Sequence, residues 1–248
     1  MKPIAHFSAA MLASAHTFAG THDVRYYING INVRPALGGG VIITATNGHA
    51  IFTCRDPEGW CKEELILAPA KPLVSAARKK AAGLFVAADN GTGMVIDKIQ
   101  SSDPENSKHE IAHTQLASPT ATTALGTLEL IDGTFPDAPR VIGGFTETNK
   151  PIVMSEIYVA QMKATFSRLS ELNFPALDIR SGERQMLVRC SDPKVQAAVL
   201  VMGMSVDPLP PFNTDWMAKP SAKRRVRVVA GGKVDGGEYR EQTEAQAL

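Results

Sequence analysis

Sequence features that would assign this chain directly to a class of protein are scarce. Of its 248 residues only three are cysteine, at positions 54, 61 and 190, without a C-x-x-C pair. This odd number and wide spacing argue against a disulfide framework and favour reduced thiols in a cytoplasm. No apolar run approaches the roughly 18 residues that a membrane-spanning helix needs. Residues 13–15 resemble a signal-peptide cleavage site, but polar residues interrupt the apolar stretch before them, so we expect a cytoplasmic protein.

The chain also has little net charge and lacks the common nucleotide-binding motifs. Lys and Arg number 26 against 25 for Asp and Glu, so the net charge of +1 gives no global argument for a polyanionic partner. No phosphate-binding P-loop, nucleophile elbow or dinucleotide fingerprint is present. The glycines at 38–40 lack the strand-to-helix context of a phosphate cradle. Any nucleic-acid surface must therefore come from local patterning.

The hydrophobic pattern repeats one unit, which is a short strand, a helix and then several strands. In the first unit we predict strands at 3–7, 24–33, 40–45 and 50–54, with a helix between Ser8 and Gly20. The Asn47-Gly48 pair predicts a hairpin turn between the last two strands. The second unit has predicted strands at 64–67, 84–88, 94–99 and 127–131, a helix at 71–81 and a polar segment at 101–123.

The third unit begins with a predicted strand at 151–154. Ser155 then caps a predicted helix whose apolar stripe is Val159, Met162, Phe166 and Leu169, and predicted strands follow at 176–179, 185–190 and 197–204. The Pro-rich, then basic, then Gly- and Glu-rich segment 208–248 predicts a mostly disordered tail. Periodicity alone supports an α+β fold and supplies no function.

Four short stretches carry a resemblance to one family. Residues 23–30 are D-V-R-Y-Y-I-N-G, residues 45–51 are A-T-N-G-H-A-I, residues 130–141 begin L-I-D-G-T-F-P-D, and residues 199–204 are V-L-V-M-G-M. In this order they resemble the bacterial DNA polymerase III beta subunit, the sliding clamp. Two departures are Ala50 and Ala138, where the family has Arg and Tyr.

The resemblance implies a DNA clamp fold built of repeated β-α-β-β-β half-domains, with helices lining a central hole. Residues 1–145 resemble the complete middle domain of the bacterial clamp, and 146–207 resemble the second half of its last domain. A ring of twelve half-domains would then take four chains, so we expect a homo-oligomer. This one-and-a-half-domain extent favours a shortened, phage-like or prophage-like member. Clamps are non-catalytic, so we predict no catalytic residue, no metal and no cofactor.

In the clamp family, polymerase and other partners insert a short peptide into an apolar pocket. Aliphatic walls and adaptable methionines suit such a ligand. The alternative is that most of these positions are ordinary core or turn residues. The family's pocket positions fall on Ile28, Thr46, Gly48, His49, Ile51, Pro136, Arg140, Val141, Leu200, Met202 and Met204.

Clamps also hold duplex DNA through Lys and Arg on their inner helices, without reading sequence. A solvated helix face explains such charges equally well. The arginines at 224–227 are a further phosphate contact or simply part of a soluble tail. The predicted DNA-binding residues are Lys71, Arg78, Lys79, Lys80, Lys163 and Arg168.

Residues 109–113 form the rival motif H-E-I-A-H. On a helix, His109 and His113 would face one way and bind zinc, with Glu110 as general base. On a strand they would lie about 13 Å apart, too far to share one metal. The leading hypothesis is therefore a clamp that tethers polymerase or repair partners to duplex DNA. The alternatives are a clamp-like peptide-binding adaptor that does not encircle DNA, and a zinc metallohydrolase.

Overall fold

The computed structural model describes residues 1–97, 108–117, 122–172 and 175–204, and within the second range the side chains of 110–115 only. Twelve strands and five α-helices lie in these ranges. The strands are β1 Pro3–Ser8, β2 Ile31–Pro35, β3 Val41–Thr46, β4 Ala50–Asp56, β5 Trp60–Cys61, β6 Leu65–Pro69, β7 Ala82–Ala88, β8 Thr92–Asp97, β9 Thr122–Leu130, β10 Leu177–Ser181, β11 Gln185–Cys190 and β12 Ala197–Met202. The helices are α1 Ala9–His16, α2 Lys71–Ala77, α3 Lys108–Ala117, α4 Ala138–Gly143 and α5 Glu156–Leu169.

The twelve described strands form one antiparallel sheet in the order β10-β11-β12-β4-β3-β2-β6-β9-β8-β7-β1-β5. The third unit joins the first because β12 pairs with β4, with Leu200 opposite Ile51 and Val201 opposite Ala50. Along each strand, successive side chains point to opposite faces. One face packs under α1, α2 and α5, so the sheet has a helix-covered face and an outer face.

The main core lies between the sheet and these three helices. Phe7, Phe52, Phe85 and Phe166 are all fully buried there. The Phe18 ring stacks on Phe52, with centroids 5.5 Å apart and planes within 9°. The three cysteines are free, and burial raises the pKa of the Cys61 thiol to about 11. None of the helices in the described ranges is long and apolar enough to cross a membrane.

The predicted strand at 24–33 is wrong over its first half. Tyr26–Asn29 forms a 3-10 turn, and β2 begins only at Ile31. The Asn29 side chain closes this loop, because its Oδ1 accepts from the Asp23 N–H at 3.0 Å and its Nδ2 donates to the Asp23 carbonyl at 2.9 Å. Such side-chain bonds compete with a strand ladder, which an apolar pattern does not reveal.

Other predicted bounds also change. The helix of the second unit ends at Ala77 rather than at residue 81. The last strand of that unit is Thr122–Leu130 rather than 127–131. Residues 151–154 form no strand, although the Val153 carbonyl accepts from the Met204 N–H at 2.8 Å. Val159 does not join the buried stripe of α5, since its side chain is 53% exposed.

Two further helices are present, of which the first lies where the sequence left helix and strand open and the second was not predicted. The first, α3, lies in the polar segment and buries Ala112 against apolar side chains of β7 and β8 on the outer face. The second, α4, begins at Ala138 and is capped by Asp137, whose side chain accepts from the Arg140 N–H at 3.0 Å. Such a cap satisfies one of the free N–H groups of the first turn. Both helices are short, and neither has a strong apolar stripe to predict it.

Candidate functional site

The β3–β4 turn shapes one end of the outer face, and the predicted hairpin is confirmed. The Asn47 Oδ1 accepts from the N–H groups of His49 at 3.0 Å and Ala50 at 2.9 Å. The Thr46 hydroxyl donates to the Ala50 carbonyl at 2.7 Å. Gly48 has φ +86°, a left-handed conformation that favours glycine. These bonds hold the backbone of the turn in one shape.

Strand β12 lies against this turn. Its Leu200 is opposite Ile51, and the Met202 N–H donates to the His49 carbonyl at 2.8 Å. Leu200 is 3% exposed, whereas Met202 is 54% exposed. The structure therefore brings six predicted pocket residues together on the outer face, although some 150 residues separate the two segments. We call this set the peptide-face cluster: Thr46, Gly48, His49, Ile51, Leu200 and Met202.

The remaining predicted pocket residues lie around this cluster and differ in their exposure to solvent. Ile28 is buried, and Gly20 links it to the cluster because its N–H donates to both the Ile28 and the Thr46 carbonyls. Pro136 borders a cavity of about 380 Å³ whose walls include Thr44, which shares a sheet face with Thr46. Met204, held by the Val153 carbonyl, is 52% exposed.

Arg140 and Val141 lie on α4, one turn beyond Pro136. Both side chains are exposed, and the Val141 side chain is 43% exposed. The Asp137 cap fixes where this helix starts and therefore which side chains follow. The structure thus places these two residues at the surface of α4, with Pro136 nearer to the sheet.

Arg25 is a neighbour of the cluster that the sequence analysis did not select. A Cβ atom at Gly48 would lie 2.6 Å from its guanidinium Nη2, so the side chain lies directly over the turn. Asp23 holds it there, accepting from Nε at 3.0 Å and from Nη2 at 2.9 Å. The side-chain hydrogen bonds from Arg25, and then the hydrogen bond from its backbone N–H, lower the pKa of Asp23 to about 2. Both residues lie inside the quoted 23–30 motif, which was the available signal.

The helix-covered side carries the predicted cationic residues. The Arg168 Nη1 on α5 donates to the Ser14 hydroxyl on α1 at 3.3 Å. Burial, and then the charge of Arg78, lower the pKa values of both Arg168 and His16. Arg78 follows α2 directly, so cationic side chains from two helices converge beside the end of α1.

A cavity of about 770 Å³ lies between the start of α1 and the C-terminal ends of α2 and α5. Among its walls are Ser8 and Ala10 at the start of α1, and one carboxylate, Glu171, which pairs with Lys194 at 3.3 Å. We call it the basic cavity; its cationic walls are Arg78, Lys79, Lys80 and Arg168. The structure thus gathers four of the six predicted DNA-binding residues. Lys71 and Lys163 are exposed on α2 and α5 and do not line this cavity.

The H-E-I-A-H motif lies on α3, so the strand interpretation of this segment is wrong. His113 and Glu110 are exposed, and the His109 side chain lies outside the described residues. No group of three or more His, Cys, Asp or Glu in the described ranges is placed to hold a metal ion. The helix instead packs Ala112 onto the sheet, so its described contacts are those of a covering helix.

Repeated strand-helix-strand units, with helices on one face of a continuous antiparallel sheet, define a clamp-type α+β fold. Solved bacterial sliding clamps share it. The beta subunit of DNA polymerase III from Thermotoga maritima matches with a TM-score of 0.52 at 7% identity, over 82% of this chain and 65% of that one. The Pseudomonas aeruginosa clamp matches at 0.47 and 15% identity, over 83% and 68%.

This likeness establishes that the chain has the sliding-clamp fold, which confirms the fold predicted from the four motifs. The clamp of Bartonella birtlesii, solved with bound griselimycin, also matches, with a TM-score of 0.47 at 13% identity over 83% and 68%. The chain spans about two thirds of the length of these clamps and about one and a half to two clamp domains. No protein-family model and no curated protein matches it significantly.

Proposed function

We propose that this chain is a non-catalytic DNA replication accessory protein that acts as a clamp. It would hold duplex DNA on its helix-covered side and receive partner proteins at the peptide-face cluster. The partners would be a DNA polymerase or repair proteins that carry a short clamp-binding peptide, in the cytoplasm. Within this proposal, residues 1–145 are one clamp domain, 146–207 a half domain and 208–248 a tail. The sliding-clamp fold supports the general role.

One observation carries the DNA-binding part of the proposal, namely the convergence of Arg78 and Arg168 at the basic cavity. Each residue belongs to a different unit, so only the folded chain places them together. Burial, and then repulsion by the Arg78 charge, lowers the pKa of Arg168. A phosphate group between them would relieve this repulsion. Phosphate contacts of this kind bind DNA without reading its sequence.

The outer face supports the partner-binding part. Leu200 and Ile51 form an apolar floor, while Met202 at the edge is half exposed and adaptable. Arg25 lies over Gly48 at the side and offers a charged group to a peptide. A short peptide with apolar anchors fits this combination of apolar floor and polar rim.

The third unit supports assembly with further copies. Ile157 on α5 and Ile179 on β10 are each 56% exposed, and Val159 is 53% exposed. Exposed apolar side chains that belong to one unit favour association. Further copies would be needed for the helix-covered side to surround a duplex.

The test of DNA binding compares two triple variants of equal net charge. Arg78→Gln, Lys79→Gln, Lys80→Gln removes three cations of the basic cavity, and Lys2→Gln, Lys62→Gln, Lys150→Gln removes three exposed cations elsewhere. We expect the first variant to bind a labelled duplex at least about tenfold more weakly. Its salt dependence should also fall, by about 0.9 in the log–log slope for each lost contact.

Fluorescence anisotropy at several salt concentrations measures both quantities. Equal losses in the two variants would show non-specific attraction rather than a site. Retention on circular but not linear duplex, followed by light scattering, then tests encirclement. If the wild-type protein binds a clamp-binding peptide but does not retain circular DNA, the proposed function becomes that of a peptide-binding adaptor instead of a clamp.

A further inference from the structure

The outer face continues beyond the peptide-face cluster along strand β4. Successive side chains of a strand alternate between the two faces, so Thr53 and Arg55 point to the same face as Ile51. Strand β12 runs alongside, with Ala198 opposite Thr53. Arg55 lies four residues beyond Ile51, which is about 13 Å along the strand. The apolar floor of the cluster therefore leads to an arginine.

A shallow cavity of about 280 Å³ lies at this end of the face. Its walls come from β3, β4, β11 and β12, and Ile42 of β3 lies opposite Arg55. Thr53 and Ala198 have short side chains, so the backbone of an extended ligand can lie close to the sheet there. We call this surface the Arg55 strip; it consists of Ile42, Thr53, Arg55, Gln196 and Ala198.

The guanidinium group of Arg55 is held in place by neutral acceptors. Its Nη2 donates to the carbonyl oxygens of Gly38 at 3.2 Å and Gly39 at 2.9 Å. Its Nη1 donates to the Gln196 Oε1 at 3.5 Å. These contacts orient the group without balancing its positive charge. Because an Nη1 group carries two N–H bonds, one donor remains for a further acceptor.

The neighbouring arginines differ from Arg55 because carboxylates lie close to them. Arg189 borders the same cavity and forms an ion pair with Asp178. Arg34 lies two strands from Arg55 in the same row of the sheet, and Glu64 lines the same cavity as Arg34. The charge of Arg55 is therefore the one that these contacts leave for a ligand on this part of the face.

We propose that the Arg55 strip binds a carboxylate side chain of the partner peptide whose apolar anchors occupy the peptide-face cluster. The inference rests on the proposed partner-binding function and deepens it, because it specifies the chemistry of the partner. An extended peptide that runs along β4 covers the distance from Ile51 to Arg55 in about four residues. The acidic residue would therefore stand four residues from an apolar anchor and accept a charge-assisted hydrogen bond from Nη1.

The surroundings of Arg55 favour a peptide carboxylate over a DNA phosphate. The strip offers one unbalanced cation and continues directly from an apolar surface. A duplex backbone is instead held by several cations at once, as the basic cavity on the other face provides. An arginine whose guanidinium is already oriented also loses less side-chain freedom when it binds a carboxylate.

The experiment extends a labelled peptide that is copied from the clamp-binding segment of a bacterial DNA polymerase III subunit. One version carries Glu four residues before its first apolar anchor, another carries Glu four residues after its last, and each has a Gln twin. A peptide runs along β4 in one direction, so one Glu version should bind at least about threefold more tightly than its twin. Fluorescence anisotropy measures this preference, which should shrink as salt is added.

Variants of the protein then locate the preference. Arg55→Gln should abolish it and leave binding of the unextended peptide unchanged, whereas Lys62→Gln, an equal loss of charge elsewhere, should keep it. Arg55→Glu should instead prefer a peptide with Lys in place of Glu. Damage to the β2–β3 turn would not produce such a reversal, and thermal melts establish that each variant folds.

Two results would overturn the proposal directly. One is equal binding of the Glu and Gln twins at both positions, and the other is a Glu preference that survives Arg55→Gln. Weaker duplex binding by Arg55→Gln would assign the strip to phosphate and overturn the proposal as well. Wild-type protein that binds the unextended peptide without a Glu preference rejects only the Arg55 strip. Wild-type protein that binds none of the peptides rejects the partner-binding function on which the strip rests.

Discussion

Arg78 places its charge near side chains of two other helices, and this charge adds to the effect of burial on the pKa of His16. Burial of the imidazole is the larger cause of its lowered pKa, and the Arg78 charge is the second. At neutral pH His16 is therefore uncharged beside Arg78. A proton on this ring would add a second cation next to the Arg78 charge at the end of α1.

The lowered pKa of His16 predicts a pH dependence of stability. The unfolded chain takes up this proton near its ordinary pKa of 6.5, whereas the folded chain resists it. Stability should therefore fall as the pH drops from about 6.5 toward the lower folded pKa. Melting temperatures at neutral and mildly acidic pH, for wild type and His16→Gln, measure this. The loss on acidification should be smaller in the variant, and an identical loss would contradict this role of His16.

A single face of helix α5 joins the third unit to the first. Met162 and Phe166 are buried against the sheet and α1, and Arg168 reaches Ser14. Ile157 and Val159 point elsewhere and are half exposed. The helix is therefore anchored by one stripe of side chains, and its other apolar residues contribute little within the single chain.

A matched pair of substitutions on α5 tests this division. Phe166→Ala removes a fully buried ring and should lower the free energy of unfolding by about 3–5 kcal/mol. Ile157→Ala removes a half-exposed side chain and should change it by less than about 0.5 kcal/mol. Urea denaturation at low protein concentration, where association is minimal, measures both. Similar losses in the two variants would show that Ile157 is part of the core.

At the scale of the whole molecule, the two candidate sites lie on opposite faces of one sheet. Leu200 and Ile51 point to the outer face, while their neighbours Val199 and Phe52 are buried with the helices. The basic cavity lies among the helix ends on that second side. In the proposed function, a layer of packed sheet would therefore separate a bound peptide from bound DNA.

This separation predicts that the two binding activities can be removed independently. Met202→Glu should weaken peptide binding at least about tenfold and leave duplex binding unchanged. The labelled peptide is copied from the clamp-binding segment of a bacterial DNA polymerase III subunit. Leu37→Glu serves as the exposed control. The triple variant at positions 78–80 should show the opposite pattern. A variant that loses both ligands would argue against two separate sites, and anisotropy with each ligand measures the outcome.

Some features of this protein follow from local sequence. The Asn47-Gly48 turn, the buried stripe Met162–Phe166 and most strands of the three units come from turn chemistry and from periods of two and 3.6 residues. The order of the four motifs was sufficient to predict the clamp fold. Local patterns failed where side chains bond the backbone, as at Asn29, or where a polar helix is held by packing, as α3 is.

Only the tertiary structure decided which segments meet. The pairing of β12 with β4 and the convergence of Arg78 with Arg168 join residues far apart in the chain. A periodic pattern reports which face of an element is apolar, but it does not report which other element covers that face. Long-range pairing is set by the packing of the whole chain, and for that reason only the fold showed which of the predicted site residues lie together.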